Sequence, residues 1–379
     1  MLLKSHRENR RARDRKRKAQ RKWALLTAAT AVILAAAWFF VLRGPQGPRG
    51  VPWEYWPDAE AAGFSAAGLE EVLSHTRTLG TTGLMVVKGG KVLLEYGDVQ
   101  ARGFMAEGRC SVMAMLYGKP VSEGTIDLSL TLEELGIDDR GGLLPTERKA
   151  TIEDLLTNRS AVYHPTEFID PTRDLPARGS VEPGTHFYFH SWACLVARVI
   201  YTMLTDRDFF QAVGEDLAIP LGLQDFDWKR QHPGRDRSRS VFTLFHLYVS
   251  TRDVARFGQL MLQEGEWEGN QLVPREWVTR MTTLATPPEE VNPSAYQRLG
   301  LGFGYQWWVW PDLDPESPFA GAYTYRGDWG QYLSVLPKLD MVVAHQVFAG
   351  WYGAPERSVR FEEYLGLLDR IVVARNDPK

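Results

Sequence analysis

Cysteine is scarce in this chain of 379 residues, with Cys110 and Cys194 its two examples. Their spacing does not suit metal ligation, which excludes a cysteine-based metal centre. Two buried free thiols are the expected state, with a bridge between them as the alternative. No His/Cys/Asp/Glu spacing suggests a metal site, and glycine-rich phosphate loops are absent, so neither a metal nor a cofactor is expected. No internal repeat is present. Net charge is small, −3, and hides an asymmetry. Residues 4–22 hold about eleven Lys and Arg against two acids, leaving the remainder near −12. An acidic bulk argues against a nucleic-acid partner outside that tail.

What is present is ordinary globular composition, 44% hydrophobic and 24% charged, enriched in aromatic residues to 12% with thirteen tryptophans. The length allows one large domain or two ordinary ones. Residues 1–22 read as a solvated basic tail. Trp23 to Leu42 is an uncharged run of the length that spans a bilayer core, with Trp23, Trp38, Phe39 and Phe40 near its ends. The positive-inside rule places the tail in the cytoplasm and the rest outside the membrane. A cleaved signal peptide is the rival, with Ala35-Ala36-Ala37 as its cleavage site. A retained anchor is preferred because signal-peptide cores are shorter, about 7–15 residues. Residues 43–58, rich in Gly and Pro, read as a stalk, and residues 59–376 as the globular domain.

Within the domain, a helix is expected from about Ser65 to Leu79, then a hairpin in which Gly83–Lys88 and Lys91–Tyr96 flank Gly89-Gly90. Thr151 and Asp154 suit the cap and first turn of a further helix, and Ser250 caps an amphipathic helix ending near Gly265. Gly304–Trp310, Gly330–Pro337 and Met341–Phe348 read as strands, and a closing helix is expected over about Arg357–Ala374. The fold class is mixed α/β (α+β): an antiparallel sheet flanked by the terminal helices, with a helical subdomain inserted between about residues 105 and 300.

The stretch from Arg109 to Asp139 carries Ser111, then Leu116-Tyr117-Gly118, Glu123-Gly124, Ile126-Asp127-Leu128 and Leu135-Gly136-Ile137-Asp138-Asp139. With Thr151-Ile-Glu-Asp-Leu-Leu-Thr, Pro183-Gly184 and Ile219-Pro-Leu-Gly-Leu-Gln-Asp-Phe, it resembles the serine hydrolase superfamily of class C β-lactamases, penicillin-binding proteins and related esterases. The resemblance implies a nucleophile at Ser111, at the start of a buried helix, and a lysine three residues on. On a helix i and i+3 share a face, so the amine would sit beside the hydroxyl and activate it. Ala114 stands at that place, and the run from Ser111 to Leu116 is about four residues shorter than the family pattern. Apart from the resemblance, Ser111 reads as a helix N-cap.

The family's second motif, Tyr-x-Asn, falls on Phe189 and Ser191, with Tyr188 one place early. Phenylalanine has no hydroxyl to shuttle a proton. The third motif falls on Asp328, Trp329 and Gly330, where tryptophan adds bulk that would fill the cleft. His190 and Lys119 are the candidate replacement bases, and His164 reads as a helix end rather than a metal ligand. Two functions follow. One is a membrane-anchored binding pseudoenzyme whose ligand is a peptide, an ester or a cell-wall component, or a protein partner. The other is an active esterase, amidase or β-lactamase using Ser111 with a rearranged base.

Overall fold

A computed structural model describes residues 50–167, 174–311, 314–348 and 355–376. The expected basic tail and the expected membrane segment at 23–42 lie outside the described residues. Among the described residues no helix is long and apolar enough to cross a membrane.

The chain enters the domain earlier than its composition suggests. Residues 51–56, expected to be stalk, are fastened to the domain. Val51 N–H donates to Gly222 O at 2.9 Å, Trp53 Nε1 to Arg252 O at 3.0 Å, and Trp56 Nε1 to Lys88 O at 2.8 Å. Two indoles with buried apolar area and a satisfied N–H outweigh the freedom that Gly and Pro would otherwise leave.

In chain order the first elements are α1 (Ala66–Thr76), β1 (Gly83–Lys88), β2 (Lys91–Gly97), β3 (Arg102–Phe104) and α2 (Gly108–Ser122). The middle of the chain gives α3 (Ile152–Leu156), α4 (Ser191–Thr205), α5 (Phe209–Ala212), β4 (His232–Pro233), β5 (Phe245–His246), β6 (Tyr248–Ser250) and α6 (Thr251–Leu262). Then come β7 (Glu266–Trp267), β8 (Asn270–Gln271), α7 (Arg275–Thr282), β9 (Gly302–Phe303), β10 (Trp308–Val309) and β11 (Tyr323–Gly327). The last are β12 (Gln331–Leu336), β13 (Met341–Gln346) and α8 (Phe361–Val373). Several starts follow from local chemistry. Ser65 Oγ accepts Gly68 N–H at 3.2 Å to open α1. Thr151 and Asp154 bond each other's backbone N–H groups at the head of α3. Ser250 Oγ accepts Asp253 N–H at 3.2 Å to open α6. Gly89 and Gly90 both take positive φ, which a tight two-residue hairpin turn requires.

Seven strands form one antiparallel sheet in the order β2-β1-β13-β12-β11-β10-β9. Side chains alternate across it. Leu84, Val86, Met341 and Val343 pack with Leu69 and Val72 of α1 and with Tyr364, Leu367 and Leu368 of α8. Met85, Val87, Val342 and Ala344 face the other way, toward Val254, Phe257 and Met261 of α6 and the apolar run of α2. The sheet is thus sandwiched, with the terminal helices on one side and the intervening chain on the other. Of the expected strand over Gly304–Trp310, Trp308–Val309 forms β10, whereas the residues before it make a turn between β9 and β10, closed by Gly304 N–H to Trp307 O at 2.8 Å. That turn puts Gln306 over α2.

Candidate active site

The predicted nucleophile position, Ser111, lies near the start of α2. The helix begins at Gly108, and Glu107 occupies the cap position without a side-chain capping bond. Its carboxylate reaches across to the end of β11, where Asp328 N–H donates to Oε2 at 3.1 Å. Oε1 lies 3.8 Å from the Arg109 guanidinium. An acid at the positive end of a helix is favoured electrostatically. Gly108 is required by close approach, because a Cβ there would sit 2.6 Å from the Tyr325 ring.

Ser111 therefore lies one turn inside the helix and does not cap it. It is 2% exposed, and its hydroxyl donates to Gln306 O at 2.6 Å. The Gln306 amide donates in turn to Leu155 O and Leu156 O at 3.1 and 3.0 Å. The serine thus joins α2 to the β9–β10 turn and the end of α3. Among the described residues no lysine, histidine or tyrosine side chain hydrogen-bonds it. Ala114, the i+3 residue, offers only its carbonyl, which accepts Trp277 Nε1 at 2.8 Å. Lys119 is eight residues along, or about 12 Å. Its side chain is 68% exposed and pairs with Glu123 at 4.0 Å.

The two cysteines are not free. Cys110 in the first turn of α2 is bonded to Cys194 of α4, with Cα atoms 5.8 Å apart. Burial of both residues was readable from their apolar surroundings, but 84 residues of intervening chain conceal that the two helices meet there.

The second-motif positions are turned to structural uses. The Phe189 ring packs 5.3 Å from Trp308, 5.8 Å from Tyr296 and 5.9 Å from Phe303. His190 caps α4, its Nδ1 accepting Trp192 N–H at 3.3 Å. Ser191 is the buried first residue of that helix. Tyr188 is buried against Tyr163, ring centroids 5.4 Å apart. His164 bonds Arg140 O through Nε2 at 2.7 Å and lies 3.3 Å from Asp139. Asp139 also accepts Trp192 Nε1 at 2.8 Å and Ser240 Oγ at 2.5 Å.

At the third motif, Asp328 meets Glu107 as described, and Trp329 takes a left-handed φ of 65°. A bulky residue there is strained. Its ring lies 6.5 Å from Phe104, and the groove that remains beside it, bounded by Tyr296, Arg326 and Arg360, holds about 160 Å³. Gly330 follows with φ 116°, its carbonyl accepting His345 Nδ1 at 2.8 Å. The structure thus brings Asp328 and Trp329 to the head of α2, leaves Ser111 bonded to the β9–β10 turn, and sets Phe189 in an aromatic cluster.

Sequence reasoning missed two features. Glu107 is one, although an acid directly before an apolar helical run is a recognisable N-terminal signal. The other is a cleft of about 630 Å³ lined by Glu167, Lys229, His232, Arg235, Asp236 and His246. Its residues come from separated stretches that no motif links. Among the described residues no group of three or more His, Cys, Asp or Glu could hold a metal ion.

Comparison with known proteins bears on this arrangement. The β-lactamase family model matches residues 111–364. An uncharacterised protein of Alkalihalophilus pseudofirmus is 28% identical over 117 residues, 29% of this chain and 32% of that protein. The chain thus spans about a third of the length of that curated relative. A Bacillus anthracis structure described as a 6-aminohexanoate-dimer hydrolase superposes with a TM-score of 0.62 at 19% identity, covering 85% of this chain and 87% of that one. An octameric penicillin-binding protein homologue from Pyrococcus abyssi gives 0.58 at 16% identity, over 82% and 78%. These likenesses are of fold.

Proposed function

Because the chain belongs to the β-lactamase family, we propose that it keeps the family's serine-hydrolase fold as a membrane-anchored binding protein without Ser-Lys-Tyr catalysis. The observation that carries this reading is the state of Ser111. Its hydroxyl is buried and donated to the Gln306 carbonyl, and the head of α2 is filled by the Glu107 carboxylate. A serine becomes a nucleophile when a neighbouring base takes its proton, and losing members of such a unit costs orders of magnitude in rate. A backbone carbonyl takes no proton, and a carboxylate beside the helix N-terminus repels an incoming anion. The ligand is a peptide, an ester or a cell-wall component held outside the membrane. The uncharged segment at 23–42 behind a basic tail supports the anchor and its orientation. The Cys110–Cys194 bridge supports an oxidising, extracytoplasmic setting.

The test is covalent labelling of the full-length protein with a fluorophosphonate and with a penicillin probe, followed by peptide mapping, with Ser111→Ala as control. No adduct is expected on Ser111. A stoichiometric adduct there would overturn the reading and restore the active-hydrolase alternative.

A further inference from the structure

Residues 229–241 carry Lys229, Arg230, Arg235, Arg237 and Arg239 against a single acid, Asp236, in a chain that is otherwise acidic beyond its tail. Lys229, Arg235, Arg237 and Arg239 are exposed, and among the described residues no carboxylate forms an ion pair with any of them. Arg140, also exposed, joins them, its Nε donating to Arg237 O at 2.5 Å. Asp236 is committed to the turn, its Oδ1 accepting Ser238 N–H at 2.7 Å. The run is fixed at both ends. β4 pairs with β5, Gly234 N–H donates to Leu244 O at 2.6 Å, and Val241 N–H donates to Asp139 Oδ1 at 2.8 Å. The Val241 side chain stays 43% exposed close behind Arg239 in the chain. Gly50, the first described residue, lies against Gln224, since a Cβ on it would be 2.7 Å from Gln224 Cα. Lys229 follows five residues after Gln224, within about 18 Å of that contact. Gly50 itself stands eight residues after Leu42, a reach of at most about 29 Å.

We propose that the 229–241 loop docks on an anionic phospholipid surface, its guanidinium groups bonding headgroup phosphates and Val241 entering the interfacial layer. The inference rests on the membrane-anchor reading, under which the short chain between Leu42 and Gly50 keeps the domain at a bilayer. Four of the loop's five cations are arginine. A guanidinium is planar, weakly hydrated and able to bond a phosphate through two N–H groups at once. Each cation close to an anionic surface adds to the attraction, and an apolar side chain beside the cations adds buried area. A soluble polyanion would meet the same charges but would leave Val241 in water. It would also gain nothing from the tether, which raises the effective concentration of lipid at the loop.

The full-length protein is placed in nanodiscs of phosphatidylcholine, alone or with about a third phosphatidylglycerol. Lys229 is acetylated, Arg235, Arg237 and Arg239 are modified with phenylglyoxal, and the rates are read by peptide mass mapping. Anionic discs should slow all four reactions about tenfold. Salt at about 0.5 M, which shortens the screening length to about 4 Å, should restore them. Arg298, exposed on a separate turn, is the reference and should react alike in both discs. The Arg235→Gln/Arg237→Gln/Arg239→Gln variant should lose the protection of Lys229. Equal rates in the two discs, protection of Lys229 that survives in the variant, or protection by soluble polyphosphate with none from phosphatidylglycerol would overturn the proposal. Should the variant fail to fold, the lipid and salt dependence of the unaltered protein decides. A protein that does not co-purify with the discs refutes the anchor reading instead. Docking is then judged by sedimentation of the same protein with phosphatidylglycerol vesicles, and its absence refutes docking.

Discussion

Reducing the Cys110–Cys194 bridge should lower the melting temperature by a calculable amount. The bridge closes a loop of 84 residues. In the chain-entropy picture its removal returns about 15 cal/mol/K to the unfolded chain, or about 4.5 kcal/mol at 25 °C. A domain of roughly 320 ordered residues unfolds with an entropy near 0.67 kcal/mol/K, so that loss corresponds to a fall of about 7 °C. Scanning calorimetry of the oxidised and reduced wild-type protein compares two forms that differ only in this bond. The Cys110→Ala/Cys194→Ala variant should melt near the reduced form and ignore reductant. Because the bond clamps the turn that carries Glu107, a weakened Asp328–Glu107 contact should accompany reduction, visible as faster exchange of the Asp328 amide. If oxidised and reduced protein melt within a degree of each other, or if denatured unreduced protein titrates as two free thiols, the reasoning fails.

Three further outcomes are expected. His345 is fully buried between Thr81 and Gly330, and burial brings its imidazole from 6.5 down to about 4. A folded value below the unfolded one gives stability that is present above pH 6.5 and lost as pH falls toward 4, at about 1.4 kcal/mol per unit. Between pH 7 and pH 5 the wild type should therefore lose about 2 kcal/mol more in urea unfolding than His345→Gln, and equal losses would contradict this. Glu107→Ala should cost about 2 kcal/mol by stranding the Asp328 N–H, while Glu107→Gln, which keeps an acceptor, should cost about half that; identical costs would show that the contact is incidental. Protease added to intact cells, or to spheroplasts where an outer membrane exists, should digest the domain and spare an epitope in the basic tail, and protection of the domain would refute the orientation.

The sheet was legible because its strands carry their own signals. Gly83–Lys88 and Met341–Gln346 are apolar runs bounded by turns, and the helices that open at Ser65, Thr151 and Ser250 announce themselves by their caps. Boundaries were less so. The closing helix starts at Phe361 rather than near Arg357, and the Trp307-Trp308 cluster concealed a turn, since aromatic density reports burial and not backbone direction. The site was legible in its frame but not in its wiring. Whether Ser111 begins its helix depends on where the preceding residues go, and Arg109, which looks like a surface residue, is buried against Phe104 and Phe245. That burial allows α2 to start a turn early. The bond between Cys110 and Cys194 and the meeting of Glu167 with His246 are long-range products of packing, without a local pattern to betray them.

The position of β13 between β1 and β12 has a consequence for biosynthesis. Gly83 pairs with Gln346, so the first hairpin, complete at Gly97, leaves the ribosome about 240 residues before the strand that completes the sheet, which starts at Met341. During translation β1 has a partner on one side alone, and its other edge, Leu84-Met85-Val86-Val87, is an open apolar template for pairing with another chain. Contacts this distant in sequence make folding slow, and the sheet cannot close until the C-terminal strands have been made. A premature stop before Met341 removes the strand that pairs both β1 and β12, so the fragment is expected to aggregate rather than to form a smaller domain.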